Sequence, residues 1–255
     1  MTSEVPAVAN AVRVMERIAA AWPQAVSSGT LIRELELNRS TCYNILGTLE
    51  RVGWATSQGA RAGWSLGPRL LALTGASADT VTAVVQRELD ELSKELGFVL
   101  FVVRRTGAGA YAVGAKAERG QGVRVTVSPG DTFPFSAPAI MQAFYAWTEP
   151  DEVARLIARY GVERFTSRTV TDAEGVRRLL DLTRERGYGA SVQEYDLSQS
   201  GVAAPVFDAR GRVSMVLCSL AFSSEVNESN VDRYGTMLRD CADRITAQTG
   251  GVPPE

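Results

Sequence analysis

Apolar residues recur three and four positions apart at Val8, Val12, Met15, Ile18 and Ala19, the spacing of one helix face, and Trp22-Pro23 closes that helix. Ser27 or Ser28 then caps a short helix carrying Leu31, Ile32 and Leu35. The next helix is capped by Asn38, turns Cys42, Ile45, Leu46, Leu49 and Val52 inward, and stops at Gly53. Trp54–Ser57 and Trp64–Leu66 flank Gln-Gly-Ala-Arg-Ala-Gly, a glycine-containing hairpin loop. Gly67-Pro68 opens a further helix through Leu70, Leu71 and Leu73, and Asp79 caps a longer one that runs to Gly97.

Beyond Gly97 the period changes. Phe98–Arg105, Tyr111–Ala115 and Val123–Val127 read as strands, followed by helices over 137–147, 150–160 and 172–186. The last of these begins with Thr171-Asp-Ala-Glu174, a capping box. Tyr188–Glu194, Val202–Phe207 and Val213–Phe222 are strands again, and a helix through Val231, Met237, Leu238 and Ile245 closes the chain. Strands at both ends with helices between predict an α+β domain, a central antiparallel sheet covered by helices. The expected division is residues 1–66 as a winged helix-turn-helix, 67–78 as a helical linker, and 79–255 as a second domain.

Composition adds direction. The 255 residues are 45% hydrophobic and 22% charged, an ordinary globular balance with room for two domains. No apolar run reaches the ~20 residues of a membrane span, and the amino terminus lacks a basic-then-apolar signal, so a cytoplasmic protein is expected. Three well-separated cysteines argue against a disulfide framework. Histidine is absent from the sequence, which removes Ser-His and Cys-His nucleophile pairs and His-containing zinc sites. Catalytic residues, a metal and cofactors are accordingly not expected. Net charge is −2, but residues 1–75 carry 7 basic against 5 acidic side chains (+2), and residues 76–255 carry 20 against 24 (−4). That asymmetry favours a DNA-binding amino-terminal domain, with attraction from a few placed arginines doubled by dimerisation.

The capped helix at Asn38 carries the candidate chemistry. Arg39, Ser40, Thr41, Tyr43, Asn44 and Thr48 lie at its start and along its polar side, where such a helix meets major-groove base edges. Asn44 suits adenine through a paired donor and acceptor, and Arg61 at the hairpin tip is placed for a minor groove or a phosphate. Double-stranded DNA is the expected partner. Competing motifs are weaker. Gly107-Ala-Gly109 leads into a strand and reads as a hairpin turn, not a dinucleotide loop. Ser128-Pro129-Gly130 lacks the flanks of a nucleophile elbow, Glu194 and Asp196 read as solvated loop acids, and Cys218 reads as inert strand packing.

These residues resemble a known family. Asn-Arg-Ser-Thr-Cys-Tyr-Asn-Ile-Leu-Gly-Thr-Leu-Glu-Arg-Val-Gly-Trp, followed by Trp-Ser-Leu-Gly-Pro-Arg-Leu-Leu-Ala-Leu, is similar to the IclR-type bacterial transcriptional regulators. Residues 134–144, 164–172, 184–188 and 202–206 extend the resemblance in order along nearly the whole chain. It implies a winged helix, a linker helix, a GAF-like effector domain, a homodimer or dimer of dimers, and control of transcription by a small-molecule effector, with repression the expected sign. By that alignment Ala139, Ile140, Ser191, Gly201, Cys218 and Leu220 line the effector pocket, with Phe133, Phe135 and Met141 nearby. Four departures stand out: Asn44 where the family usually has arginine, Ser136 where it often has histidine, Met141-Gln142 in place of Gly-Lys, and Cys218 and Leu220 in place of a Ser-x-Ser pair. The apolar lining predicts a weakly polar or aromatic effector. The competing expectation is a metabolite sensor or enzyme that keeps a winged helix without binding DNA.

Overall fold

The computed structural model describes residues 5–21, 24–57, 63–107, 109–119 and 123–254, with the side chains of 71–79 outside that description. The chain divides into two compact units, Met1–Thr80 and Val81–Glu255.

The first unit begins with α1 (Pro6–Ala20), α2 (Ser28–Glu34) and α3 (Arg39–Arg51). Ser27 Oγ accepts from the Thr30 amide at 3.0 Å and Asn38 Oδ1 from the Thr41 amide at 2.8 Å, so both helices start where a side chain replaces the missing backbone acceptor. Between them Glu36 takes a left-handed conformation (φ 55°), which makes the turn tight. Val14, Ile18, Leu31, Cys42, Ile45, Leu46 and Leu49 form the core. Val8 and Val12 do not join it. They are 61% and 50% exposed, because α1 carries two adjacent apolar stripes and only the one through Val14 and Ile18 faces the bundle. Val52 is likewise exposed, since the helix has ended before it and Gly53 turns the chain with φ +76°. The wing is an antiparallel pair, β1 (Ala55–Ser57) and β2 (Trp64–Leu66), extended by a bridge from Trp64 to Val26. A single helix, α4 (Pro68–Leu96), then runs through position 79, so the expected cap at Asp79 is replaced by continuous helix.

The second unit is a six-stranded antiparallel sheet in the order β5-β4-β3-β8-β7-β6. Its strands are β3 (Val99–Arg105), β4 (Ala110–Ala117), β5 (Thr132–Pro134), β6 (Gly189–Val192), β7 (Gln199–Phe207) and β8 (Val213–Phe222). Val123–Val127, expected as a strand, joins no sheet among the described residues and forms a connection; the short strand comes later, where Phe133 pairs with Tyr111. Side chains alternate across the sheet. Leu100, Val102, Val202, Ala204 and Leu217 face the second half of α4 and α8 (Val231–Gln248), burying Val85, Leu89, Leu238 and Ile245. Phe101, Val103, Ala203, Val216 and Cys218 face α5 (Pro138–Tyr145), α6 (Pro150–Tyr160) and α7 (Ala173–Arg186). The cap of α7 is Asp172, whose Oδ1 accepts from the Gly175 amide at 2.7 Å, one residue later than the expected Thr171. Thr171 is engaged elsewhere, accepting from Arg164 at 2.7 Å.

Candidate nucleic-acid interface and ligand cavity

On α3 the apolar residues turn inward and leave Arg39, Ser40, Tyr43, Asn44 and Thr48 exposed, with Thr41 half-buried. Their hydrogen bonds rank them. Ser40 Oγ donates to Asn38 Oδ1 at 2.9 Å, and Thr48 Oγ1 donates to the Asn44 carbonyl at 2.7 Å, so each hydroxyl has spent its proton and keeps only acceptor capacity outward. The Tyr43 hydroxyl is tied to Ser28 Oγ at 3.0 Å, linking α3 to the start of α2. The Arg39 guanidinium lies over the Tyr43 ring at 5.9 Å without an ion pair among the described residues. The Asn44 amide has no hydrogen-bond partner among the described residues either. It therefore presents both a donor and an acceptor outward. Arg51, on the exposed last turn, is a further cation that attention to the helix start passed over. Arg61 lies outside the described residues.

The second unit holds a narrow cavity of about 40 Å³ between the sheet and the start of α5. Six expected residues, Ala139, Ile140, Ser191, Gly201, Cys218 and Leu220, line it, and so does Phe133. Phe135 and Met141 do not. The strand carrying Phe133 ends at Pro134, so the chain turns before Phe135, whose ring packs against Tyr145 and Tyr160 at 5.4 and 5.2 Å. Met141 is carried by the helix turn away from the cavity and into the core. Phe101, Tyr195 and Gln199 also line it, and only the fold reveals them, since they come from three separate elements.

The cavity has no charged side chain in its lining. Its polar groups are few and specific. Ser191 is 5% exposed, lies on the cavity side of β6, and makes no side-chain hydrogen bond among the described residues. Helix α5 starts Ala137-Pro138 with no side-chain cap; its first bond is Met141 N–H to the Ala137 carbonyl, so the Ala139 and Ile140 amides precede any helical acceptor. Phe101 and Phe133 stack at 5.7 Å, and Tyr195 closes on Phe133 and Phe165 at 6.0 and 4.7 Å. Burial pushes the Cys218 thiol well above its ordinary range, so it behaves as an apolar wall and not as a redox centre.

The loop bearing Tyr195 is held from below. Thr169 Oγ1 donates to the Glu194 carbonyl at 2.6 Å and accepts from the Phe165 and Thr166 amides, while Thr166 Oγ1 donates to the Gln193 carbonyl at 2.8 Å. Gln193 sits at φ 61°, a strained value for a residue with a side chain. Asp196 turns back on its own loop, accepting from Ser198 N and Oγ, and Glu194 is not part of the cavity wall. Buried Gln142 serves the sheet edge. Its amide pairs with both the N–H and the carbonyl of Ala190 at 3.0 and 3.1 Å, closing the free edge of β6. Ser136 accepts from the Glu163 amide at 3.2 Å.

Comparison with known proteins decides what this pairing of units is. The helix-turn-helix domain described for IclR regulators matches residues 7–59, and the C-terminal domain of bacterial IclR transcriptional regulators matches residues 75–247. The chain belongs to the IclR family. Within it, the HTH-type transcriptional regulator KdgR of Escherichia coli is 28% identical over 228 residues, spanning 86% of this chain and 84% of KdgR. The transcriptional repressor IclR of Escherichia coli is 23% identical over 256 residues, spanning 98% and 92%. The crystal structure of an IclR transcriptional regulator from Alicyclobacillus acidocaldarius superposes with a TM-score of 0.62 at 31% identity, covering 97% of this chain and all of that one. This IclR-family protein is a ligand-responsive, DNA-binding transcriptional regulator with a helix-turn-helix domain and a C-terminal effector domain. These relatives are regulators and not enzymes, and no helix among the described residues is long and apolar enough to cross a membrane.

Proposed function

We propose that this regulator is a cytoplasmic repressor that works as a homodimer or dimer of dimers and releases its operator when a weakly polar or aromatic metabolite fills the cavity above β7 and β8. Residues 1–66 act as the reading head, 67–78 as the linker and 79–255 as the effector domain. Arg39, Ser40, Thr41, Tyr43, Asn44 and Thr48 contact the duplex, with Asn44 the base reader and Arg61 a wing contact. Phe133, Ala139, Ile140, Ser191, Gly201, Cys218 and Leu220 hold the effector.

The observation that carries the ligand class is the uncharged lining. Three aromatic rings supply contact area, and an oxygen of the ligand is met by the Ser191 hydroxyl and the free amides of α5. At about 40 Å³ the empty cavity has room for only a few waters, each needing roughly 10–15 Å³ on the same measure, so the Tyr195 loop must move outward to admit an aromatic ring. A thermal-shift screen of aromatic and alicyclic acids and their neutral amides tests this, paired with gel shifts on the DNA upstream of the protein's own gene. The expected result is a stabilising aromatic compound that also releases DNA, with both effects lost in Ser191→Leu. Stabilisation by small hydrophilic acids alone would overturn the ligand class, and the absence of a shift at low salt would overturn the DNA-binding role.

A further inference from the structure

The effector domain contains a second cleft. The tip of the β3–β4 hairpin and α6 enclose about 130 Å³ between Arg105, Thr106, Tyr111, Tyr145, Leu156 and Tyr160. It shares no lining residue with the effector cavity. Gly109 makes the approach possible: it sits at φ +72°, and a Cβ there would stand 2.4 Å from the Tyr160 ring.

The cleft has a distinct charge. The Arg105 guanidinium spreads over the Phe144 and Tyr145 rings at 5.9 and 5.7 Å and has no carboxylate partner among the described residues. Arg159 lies over the Tyr160 ring at 5.2 Å and is equally unpaired there. No acidic side chain lines the cleft. On the floor, the Tyr111 hydroxyl donates to the Phe135 carbonyl at 2.8 Å, and burial together with the Tyr145 hydroxyl beside it holds the phenol protonated. Of the two arginines, Arg105 lines the cleft, and a guanidinium set against aromatic rings without counter-charge can meet an anion, because its planar fork matches a carboxylate. The Tyr160 ring and the Leu156 side chain give a flat, apolar wall next to that fork, the counterpart of an aromatic ring.

We propose that this cleft binds a small aromatic carboxylate, with Arg105 gripping the carboxylate and Leu156 and the edge of Tyr160 packing against the ring. The site is independent of whether the other cavity takes the effector.

Benzoate is the probe, followed by saturation-transfer NMR and calorimetry on the full chain. Since benzoate could also enter the effector cavity, titrations are run with that cavity filled by Ser191→Leu. The expected result is binding to this variant, weakened at least tenfold by adding Arg105→Gln, partly restored by Arg105→Lys, and absent for benzyl alcohol. Arg105 is exposed, so its replacement leaves the fold intact, which melting curves verify. No binding to the Ser191→Leu chain at millimolar benzoate overturns the proposal. So does binding that Arg105→Gln leaves unchanged. If benzoate fails to bind and Arg105→Gln instead lowers the mass seen by ultracentrifugation, Arg105 serves a subunit contact and the small-anion site is rejected.

Discussion

Asn44 is the one amide on the exposed face of α3 with both its donor and its acceptor free, because Ser40, Tyr43 and Thr48 are already engaged within the protein. A bidentate amide contact to a base discriminates by ~1–3 kcal/mol. Asn44→Ala is therefore expected to relax preference at one position per half-site by that amount, while Ser40→Ala and Thr48→Ala change it much less. Competition gel shifts against a library randomised one base at a time give the answer, and an unchanged preference profile removes Asn44 from the code. Asn38 six residues earlier is a structural polar residue by contrast. Its Oδ1 caps α3 and orients Ser40, so Asn38→Ala should cost about 1 kcal/mol of stability, read as a lower melting temperature with base preference retained. The cap at Asn38 and the exposure of Asn44 were legible in the sequence, since a cap and an exposed helical face depend on local spacing. Phe135 and Met141 were misplaced because their direction depends on where a strand stops and how far a helix has turned. Phe101 was invisible because only sheet pairing brings it to the cavity, and Tyr195 because its loop is placed by Thr166 and Thr169 from more than twenty residues away.

Among the elements, the 193–198 loop carries a half-buried carboxyl through which its fold answers to pH. Loss of hydration pushes the Glu194 carboxyl up to about 7, against the opposing pull of the Val192 backbone and Arg186. Below the ordinary carboxylate range, near 4.5, Glu194 is protonated in folded and unfolded chains alike and costs nothing. As pH rises from there, the unfolded chain releases its proton while the folded one retains it. Stability is lost progressively until about pH 7 and the loss is constant above that. Allowing for partial solvent screening, about 1–2 kcal/mol is at stake. Glu194→Gln should abolish this fall, so the variant gains melting temperature over the parent at pH 8 but not at pH 4. Equal gaps at both values would show that the carboxyl is hydrated. Residues 164–170, which stood out in sequence only as part of a block of resemblance, acquire a physical role here. Thr166 and Thr169 hold the loop carbonyls in place beneath Tyr195. The α4 helix gives the opposite lesson: Asp79 looked like a cap, but a capping residue inside a long helical run does not interrupt it when its neighbours keep helical bonds.

For the whole molecule the governing quantity is the weak positive charge of the reading head. Residues 1–75 carry a net charge of +2, and one head can neutralise few phosphates, each worth about −0.9 in the salt slope. In the homodimer proposed above, useful affinity comes from two heads acting on one duplex, where the second contact is made at high effective concentration. For such pairing we propose a surface on α1. Val8, Ala11, Val12 and Met15 on α1, with Trp54, Leu66 and Leu70, line an open groove that is almost entirely apolar. Val8 and Val12 lie exposed along the same helix, and Val5 is exposed at its N-cap. Introducing Val8→Glu with Val12→Glu places charge on that stripe without touching Val14 or Ile18, so the head should melt as before. The expected outcome is failure of the heads to pair and a loss of operator affinity of at least a hundredfold, with a salt slope about half that of the parent. Gel shifts over a range of salt, beside ultracentrifugation of residues 1–80 and of the full chain, measure both. If the heads pair as before, the groove is not the seam. If affinity falls while the full chain keeps its mass, the effector domains hold the pair together and the α1 stripe sets only how the two α3 helices face the duplex.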